Sequence, residues 1–431
     1  MATLPTGSRV AIVGAGLIGL STAFYLRRAG YGVVVIERDQ VGSGASRGNA
    51  GEITPLTAVP LAGPGMVPEV FRGMVGRSGP LTLSPLRAAR LMTFGFGFIR
   101  SSRPARTDAG VMAMTQLGAG ALAAFDEMGE AGADLSGGGE GFLYTSANPN
   151  TVRDFHDLLC TRAEDTGLPA PGDLVEGSAV HELEPSLSPA CAAAFIDHGA
   201  RWIDPSRFVD SLGGVLRDMG VEIREGVRVT SINPDIRPSL DLVHQGRREV
   251  MRPDHVVLAA GAWSHDLMRE AGIHIGVVPG KGYSFTVGAD RLPEHLIHLS
   301  DARTVLVPMS GRLRVVGAME IDGTYEVFHP DRIAMIRRVT APLVQGIDWS
   351  DISEQWVGAR PMTADGLPII GQHRKLPGLT LATGHNMHGL SLGPVTGKAV
   401  ADILLGQPTI LAGKQVDMEK FSPHRLRRLL T

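Results

Sequence analysis

The sequence contains few cysteines and almost no net charge. Only Cys160 and Cys191 occur among 431 residues, which argues against a disulfide framework or a thiolate cluster for zinc or iron–sulfur and favours a reducing compartment. The 41 Lys and Arg residues nearly balance the 44 Asp and Glu residues, so the net charge of −3 favours no nucleic-acid partner. A small neutral or zwitterionic substrate fits this balance better.

Long apolar runs are absent as well. No uninterrupted apolar stretch approaches the length of about 18 residues that a membrane-spanning helix needs. Residues 1–8 lack the charged region, the apolar run and the cleavage site of a signal peptide. We therefore expect a cytoplasmic protein in which any membrane contact is peripheral.

Glycine, by contrast, is abundant. There are 55 glycines, well above the usual share of about 7%, and many lie in short loops between apolar segments, which suits backbone packed against a cofactor. A chain of 431 residues also exceeds what one hydrophobic core usually supports, so two domains are expected.

The first glycine loop spans 14–19 and follows an apolar strand at 9–13. A helix is predicted over 17–29 and a second strand over 33–36, which together make a Rossmann-type unit. Its glycines provide a tight turn, close approach of a pyrophosphate and close helix–strand packing, while amides at the helix start face the anion. The predicted dinucleotide contacts in this loop are Gly14, Gly16, Leu17, Ile18 and Gly19.

The second strand ends in Glu37, which stands 18 residues after Gly19. A carboxylate here accepts hydrogen bonds from an adenosine ribose and repels a 2′-phosphate, so NADP is disfavoured, although Arg38 weakens that argument. Glu37 and Arg38 are the predicted cofactor contacts at this position. The small-residue loop 42–51 then favours FAD over NAD, because its amides can follow a second phosphate and run beneath a flavin ring. Its predicted contacts are Gly44, Ser46, Asn49, Ala50 and Gly51.

The rest of the chain predicts an α/β fold in which a Rossmann-type FAD-binding domain is interleaved with an antiparallel-sheet α+β substrate domain. The FAD-binding segments are predicted at 1–65, 190–270 and 346–431, and the substrate-domain segments at 66–189 and 271–345. Within the first domain, short β-type runs between 221 and 244 predict a small antiparallel flap. Within the second, Ser310-Gly311 is expected to turn a hairpin.

Several distant motifs in order resemble the D-amino-acid oxidase-like flavoproteins, closest to the bacterial D-amino-acid dehydrogenase and glycine oxidase branch. The motifs besides 14–19, Glu37 and 43–51 are Leu258-Ala-Ala-Gly-Ala-Trp263, Pro279-Gly-Lys-Gly-Tyr-Ser284, Gly358-Ala-Arg-Pro361 with its continuation to Pro368, and 383–397. The resemblance spreads across the whole chain. It implies FAD held non-covalently, because neither cysteine lies in a motif corresponding to a covalent attachment site.

The resemblance extends the predicted FAD contacts to later segments. It implies that Val229 contributes backbone contacts to adenine and that Ala260 and Gly261 lie near the dinucleotide. It also implies that Gly389, Leu390 and Ser391 present amides to the flavin, where the helix that follows stabilises a reduced anionic ring. The other contacts predicted from these motifs are Trp263, Gly358 and Gly384.

The chemistry implied by the resemblance is oxidation of a carbon–nitrogen bond, in which hydride passes to flavin N5 and water hydrolyses the resulting imine to a 2-oxo acid. Arg360 resembles an arginine that grips the substrate carboxylate, and its planar donor fork suits that task; the alternative is an interdomain ion pair. Tyr283 resembles a pocket tyrosine, or else packs in the sheet. His385 and His388 are candidates to poise the flavin or deprotonate an ammonium, or else are loop histidines satisfied by backbone.

Two departures from the relatives leave the substrate open. Met309 stands where an arginine would bind a carboxylate, and Thr57 stands where the dehydrogenases carry a tyrosine. Four arginines are candidates to replace the missing one in space: Arg201, Arg303, Arg312 and Arg314. No grouping has convincing metal-ligand spacing, and Lys281 is expected to be a solvated loop lysine.

The apolar stretch 91–99, flanked by arginines, allows peripheral contact of residues 87–103 with an anionic bilayer, as an enzyme that passes electrons to quinone would need. A lid or interface helix is the alternative. The expected electron acceptor is therefore either oxygen or a quinone. The protein is expected in the cytoplasm, with association at the inner face of the membrane as the further expectation.

The leading hypothesis from the sequence is an FAD-dependent dehydrogenase or oxidase of a D-amino acid or related small-molecule amine. A second is a flavoenzyme for a glycine- or sarcosine-like amine, a cyclic secondary amine or a substrate with a carbon–oxygen bond. A third is a non-catalytic protein that retains FAD structurally.

Overall fold

The computed structural model describes residues 3–63, 81–83, 88–233, 237–374 and 376–425. The parts of the predicted domains that fall between these ranges, and Arg87 of the predicted membrane segment, lie outside the described residues. The strands are β1 (Arg9–Val13), β2 (Gly32–Ile36), β3 (Glu52–Ile53), β4 (Leu81–Leu83), β5 (Gly139–Ser146), β6 (Val175–Glu176), β7 (Ala193–Trp202), β8 (Glu222–Arg224), β9 (Val227–Asn233), β10 (Ser239–His244), β11 (Arg247–Met251), β12 (His255–Leu258), β13 (Val277–Ala289), β14 (Leu296–Leu299), β15 (Thr304–Met309), β16 (Arg312–Ile321), β17 (Ile347–Thr363), β18 (Ile369–His373), β19 (Leu376–Thr383), β20 (Ile410–Leu411) and β21 (Lys414–Gln415).

The α-helices in the same part of the chain are α1 (Leu17–Arg28), α2 (Ala88–Ser101), α3 (Pro104–Gly118), α4 (Ala121–Glu130), α5 (Pro149–Thr166), α6 (Ser178–Leu183), α7 (Pro205–Asp218), α8 (Ser264–Glu270), α9 (Pro330–Thr340) and α10 (Gly393–Leu405). The start of α7 follows from its sequence, because the Asp204 side chain accepts hydrogen bonds from the amides of Ser206 and Arg207 at 2.9 and 3.3 Å. No helix among the described residues is both long and apolar enough to cross a membrane.

A six-stranded sheet with the order β18-β19-β12-β1-β2-β8 forms the first layer. Its strands are parallel except β18, which runs antiparallel to β19. Val10 and Ile12 of β1 pack on one face with α1, α7 and α10, whereas Ala11 and Val13 pack on the other face. Burial of both faces explains the uninterrupted apolar run of β1 and confirms the Rossmann-type prediction.

A three-stranded antiparallel sheet, β11-β10-β9, covers the second face of the six-stranded sheet. It is the small flap expected from the short β-type runs after residue 221. The first of those runs behaves differently, because β8 pairs in parallel with β2 and forms the edge of the six-stranded sheet.

A ten-stranded sheet makes the second large layer, with the path β17-β13-β16-β15-β14-β5-β7-β3 and with β4 and β6 attached to β16 and β7. Its pairs are antiparallel except β5 with β14 and β4 with β16. Ser310 and Gly311, with φ of 52° and 78°, turn the hairpin between β15 and β16 as expected. The mixed α/β fold class is therefore confirmed.

The domain boundaries stay a prediction, but two strands differ from it in their pairing. β7 and β17 fall within segments assigned to the FAD-binding domain, yet both pair within the ten-stranded sheet. Their partners β5 and β13 are distant in sequence, so local pattern alone does not reveal the pairing. β3 also joins this sheet, directly after the loop 42–51, and so connects the loop to the second layer.

Candidate active site

A cavity of about 840 Å³ is lined by residues from both large sheets. At one end lie the loop after β1, the end of β2 and the end of β12. At the other lie side chains of β5, β14, β16 and β17. Most of the predicted FAD contacts line this cavity: Gly14, Gly16, Leu17, Ile18, Glu37, Arg38, Gly44, Ser46, Asn49, Ala50, Val229, Ala260, Gly261, Trp263, Gly389 and Leu390.

The first glycine loop has the geometry that its spacing predicts. Gly14 adopts φ of 107°, and a Cβ there would lie 2.6 Å from the Ala259 carbonyl oxygen. Gly19 does not line the cavity, because it faces the preceding turn: a Cβ would lie 1.9 Å from the Gly14 carbonyl oxygen. Its predicted contact with the dinucleotide is therefore corrected to helix–strand packing. The Leu17 amide at the start of α1 donates to Ser46 Oγ at 3.0 Å.

Glu37 is fixed at the cavity wall by two backbone amides. Its Oε2 accepts from Ala15 at 2.8 Å and its Oε1 from Asp39 at 3.0 Å. The neighbouring Arg38 lies with its guanidinium 3.9 Å from the centroid of the Trp263 ring and donates to Asp39 Oδ2 at 2.8 Å. The positive charge of Arg38 is thus already paired with Asp39 and the Trp263 ring. The carboxylate of Glu37 therefore gives this end of the cavity its negative charge.

The loop 42–51 is held in place by its own asparagine. Asn49 Nδ2 donates to the carbonyls of Ala45 and Ser46 at 3.2 and 2.8 Å, and its Oδ1 accepts from the Gly51 amide at 2.8 Å. Arg314 also donates to the Asn49 carbonyl at 3.2 Å. The loop is consequently an ordered wall of the cavity, held by these hydrogen bonds, and not a surface linker.

Gly358, Gly384, Gly51 and Ser391 are predicted FAD contacts that do not line the cavity. Gly358 makes room for the Trp356 ring, which a Cβ would approach to 2.0 Å. Gly51 and Gly384 pack against Ile203 and Thr363 in the same way. Ser391 Oγ donates to the Glu52 carbonyl at 2.8 Å. The side chains or packing of these four residues thus support neighbours of the cavity, and their predicted contacts with FAD stay predictions.

The C-terminal loop before α10 brings His385 and His388 to the cavity. His388 Nε2 donates to the Val59 carbonyl at 2.8 Å, and His385 Nε2 pairs with Thr396 Oγ1 at 2.9 Å. Burial lowers the pKa of His385 to about 3 and also lowers that of His388, so both rings are neutral near pH 7. Among the described residues neither Nδ1 has a partner.

Arg360 of β17 and Glu52 of β3 both line the cavity. Arg360 lies over the backbone of Gly282, where a Cβ would approach its Nη2 to 2.2 Å, and it donates weakly to the Ala318 carbonyl at 3.3 Å. Burial lowers its pKa to about 10, an effect that the Glu52 carboxylate opposes. Arg360 therefore brings a cation into a partly apolar cavity, and its role in binding a carboxylate stays a prediction.

Another strand brings a phenol next to Thr57. Tyr144 of β5 lines the cavity, and its hydroxyl donates to Thr57 Oγ1 at 3.2 Å. Phe142, Phe155 and His298 lie against the Tyr144 ring and complete an aromatic wall. Burial lowers the pKa of His298 to about 4, so this wall is uncharged. Sequence reasoning missed Glu52, Tyr144 and His298, because only the fold brings β3, β5 and β14 to the cavity.

The structure also selects among the four arginines considered as substitutes at Met309. Met309 itself is buried in a core cluster away from the cavity. Arg201 and Arg312 pair with Asp126 and Asp351, and Arg314 holds the loop 42–51. Of the four, Arg303 lines the cavity, and it does so with a left-handed φ of 53°.

Tyr283 and Lys281 do not lie where the sequence suggested. Tyr283 is fully buried outside the cavity and donates to Glu320 Oε2 at 2.7 Å, and burial followed by Glu320 raises its pKa. Lys281 is also fully buried, with its Nζ 3.0 Å from both Glu320 and Asp322. Lys281 and Arg332, which also lies 3.0 Å from Glu320, thus balance the two carboxylates of the one described group with metal-ligand proximity, Glu320, Asp322 and His329. The pocket role of Tyr283 and the solvated state of Lys281 are corrected.

The fold and the cavity define a flavoprotein oxidoreductase. The model of a family described as FAD dependent oxidoreductase (DAO) matches residues 9–403, and the chain belongs to that family. A D-amino acid dehydrogenase of Cereibacter sphaeroides is 28% identical over 97% of each chain. Glycine oxidase from Geobacillus kaustophilus has a TM-score of 0.73 at 25% identity over 97% of this chain and 99% of its own. L-proline dehydrogenase from P. horikoshii has a TM-score of 0.74 at 18% identity over 99% of both chains, which shows the fold.

The cofactor of this family, FAD, suits the residues that are present. The glycine loop and Glu37 match the needs of an adenosine diphosphate at one end. At the other, the Nδ1 atoms of His385 and His388 lack partners among the described residues, and Leu392 caps α10 without a side-chain hydrogen bond. The protein is an FAD-dependent enzyme.

Proposed function

We propose that this enzyme oxidises the carbon–nitrogen bond of an amino acid with a free amine, with D-amino acids as the first candidates. Bound FAD supplies the acceptor for two electrons and a hydrogen from the substrate carbon. The observation that carries the proposal is the buried Arg360, which lines a cavity that also has an aromatic wall. The 28% identity to a D-amino acid dehydrogenase supports the choice of the D series.

In this proposal the chain binds and orients the substrate. Arg360 binds the substrate carboxylate through its donor fork, and its desolvated surroundings strengthen that contact. Phe142, Tyr144 and Phe155 pack against the substrate side chain and exclude water. His385 and His388 remain neutral and hold the loop that presents the amides of Gly389 and Leu390 to the cofactor.

An anaerobic screen of the FAD-loaded enzyme tests the proposal. The panel contains D- and L-amino acids, glycine, sarcosine, D-proline and the matching 2-hydroxy acids, and the bleaching of flavin absorbance is recorded. We expect the fastest bleaching with D-amino acids. Preferential reduction by sarcosine, a cyclic amine or a hydroxy acid would replace the proposed substrate class, and a flavin that no compound reduces would favour a non-catalytic role.

The electron acceptor is a separate proposal, either oxygen or a quinone. With the best substrate, peroxide formation in air is compared with reduction of a soluble quinone. Peroxide formed at the rate of turnover identifies an oxidase, whereas turnover that depends on quinone identifies a dehydrogenase.

Peripheral membrane contact is also proposed, on the exposed face of α2. Met92, Phe96 and Ile99 have exposed fractions of 57%, 71% and 46%, and their spacing places them on one helical face. Arg100 and Arg103 lie at the end of this face and suit an anionic surface. Co-sedimentation with phosphatidylglycerol vesicles should fall for Phe96→Ser and persist for Val250→Ser, a control at an equally apolar exposed site on β11. Equal sedimentation of both variants would contradict the contact.

A further inference from the structure

Glu52 is an acidic side chain in the cavity that the chemistry above leaves unused. It follows the loop 42–51 directly and begins β3, where it pairs with Trp202 of β7. Ser391 Oγ holds its carbonyl at 2.8 Å, and the Thr54 amide donates to the same hydroxyl at 3.3 Å. Its backbone is therefore fixed between the loop and the segment before α10, which gives the side chain a defined origin.

The carboxylate of Glu52 faces the cavity without a hydrogen-bond partner among the described residues. Burial raises its pKa to about 7, against the opposing charge of Arg360. Arg360 and Tyr144 are the titratable groups with which Glu52 interacts. Burial raises the pKa of Tyr144, so that phenol is neutral. Glu52 and Arg360 thus bring an anionic and a cationic group to the same cavity, and no described ion pair joins these two side chains.

A buried carboxylate without a partner is costly, and a ligand that supplies the missing cation recovers that cost. A free amino acid carries both charges, with the ammonium and carboxylate on one carbon. Such a zwitterion complements both groups at once. A 2-hydroxy acid or an N-acyl amino acid complements Arg360 alone and leaves Glu52 beside an uncharged group.

We infer that Glu52 binds the ammonium of the substrate while Arg360 binds its carboxylate, so that Glu52 selects unblocked amino acids over 2-hydroxy acids and N-acylated amino acids. The inference rests on the proposed oxidation of an amino acid and adds the residue that recognises the amine. It makes Glu52 a specificity-determining residue and explains an acidic side chain immediately after a loop built to carry backbone contacts.

A binding experiment tests this role without turnover. The probe is 2-aminoisobutyrate, which is zwitterionic but carries no hydrogen on its α-carbon, and the reference is isobutyrate, which has the same carbon skeleton without the amine. Affinities for the FAD-loaded enzyme are measured by calorimetry for the wild type, Glu52→Gln, Glu52→Asp and the control Glu182→Gln, an exposed glutamate on α6.

We expect Glu52→Gln to weaken 2-aminoisobutyrate by about 10- to 100-fold and to leave isobutyrate unchanged or tighter. Glu52→Asp should retain the preference for the zwitterion, and Glu182→Gln should behave as the wild type. FAD content and circular dichroism identify any variant that fails to fold, and Glu52→Asp keeps the test decisive in that event.

The pH dependence adds a second readout. Because the Glu52 pKa is about 7, the wild-type affinity for 2-aminoisobutyrate should rise between pH 6 and 8 as the carboxylate ionises, and that of Glu52→Gln should stay level. Arg360 stays charged and Tyr144 stays neutral across this window. Equal weakening of both probes by Glu52→Gln would overturn the inference while the proposed function stands. A wild type that binds neither probe would overturn the proposed function and the inference with it.

Discussion

The two ends of the cavity differ in how far apart in the sequence their residues lie. At the dinucleotide end, short-range sequence patterns dictate the backbone: Gly14 turns the chain, α1 begins at Leu17, and Glu37 is held by amides of its own neighbourhood. At the substrate end, the cavity is lined by side chains from β3, β5, β14 and β17, which are far apart in the sequence. Local sequence patterns therefore predict the dinucleotide end, whereas the composition of the substrate end depends on how the strands pair. Substitutions at the two ends should therefore produce separate defects.

The largest effect is expected from Gly14→Ala. The φ of 107° disfavours any L-residue, and the added Cβ would lie 2.6 Å from the Ala259 carbonyl oxygen. We expect the affinity for FAD to fall by roughly 100-fold or more, so that the protein purifies without colour. FAD content and fluorescence titration measure this.

The matched control is Gly30→Ala, which has a φ of 88° but nothing within 4 Å of the new Cβ. It should cost about 1 kcal/mol of stability and retain FAD. If both variants lose FAD alike, the contact with Ala259 does not matter and backbone strain alone explains the loss.

A smaller but cleaner separation is expected from Arg360→Gln. Loss of the guanidinium should lower kcat/KM for an amino acid roughly 100-fold or more, because the substrate carboxylate then meets no cation. FAD affinity should change little, since Arg360 contacts the substrate end. Steady-state kinetics and FAD titration together measure the two effects.

Arg312→Gln is the control for Arg360, because it removes an arginine that pairs with Asp351 on the exposed side of the same sheet. It should leave kcat/KM near the wild-type value. An Arg360 variant with intact kcat/KM and reduced stability would instead assign Arg360 to the interdomain packing considered as its alternative.

Tyr283 shows where the sequence pattern is not sufficient to predict the site. Tyr283 was the predicted pocket residue, yet in β13 it shares a face with Phe285 and Val287, which pack in a core cluster. The opposite face of the strand, with Gly282 beneath Arg360 and Ser284 donating to the Gly48 carbonyl, is the one that supports the site. The two-residue period of a strand predicts this alternation but not which face meets the cavity. That choice depends on the pairing of β13 with β16 and β17.

The cofactor contacts divide in the same way. Those made by backbone next to a recognised motif, such as Gly16, Gly44 and Ala260, line the cavity. Gly358 and Ser391 lie within recognised motifs but serve Trp356 and the β3 backbone. A recognised motif therefore predicts which segment lies near the cofactor, but the packing of the fold determines which residues of that segment face it. Glu52 had a local signal, its place directly after Gly51, but only the cavity reveals that its side chain faces inward.

Removal of the hydroxyl from each of two tyrosines tests which of them faces the substrate, with an expected change in KM of up to about tenfold. Tyr144→Phe removes a hydroxyl that reaches Thr57 at the cavity and should raise KM by roughly 3- to 10-fold with little change in stability. Tyr283→Phe removes the donor to Glu320 and should leave KM unchanged while lowering the free energy of unfolding by about 1–2 kcal/mol. Kinetics and thermal unfolding of both variants measure this. The opposite assignment of defects would place Tyr283 at the substrate after all.

The smallest effect is expected from His255, a buried titratable side chain of the six-stranded sheet. His255 of β12 is 2% exposed and pairs with Thr380 Oγ1 at 2.8 Å, and burial lowers its pKa from 6.5 to about 4. Between these values the unfolded chain binds a proton that the folded chain does not, so His255 reduces stability as the pH falls from 6.5 towards 4. The difference in unfolding free energy between wild type and His255→Gln should therefore shift in favour of the variant by at most about 1.4 kcal/mol per pH unit. Denaturant unfolding at several pH values, with the exposed His244→Gln as control, measures this shift. A difference that does not vary with pH would show that His255 is not held neutral in the folded protein.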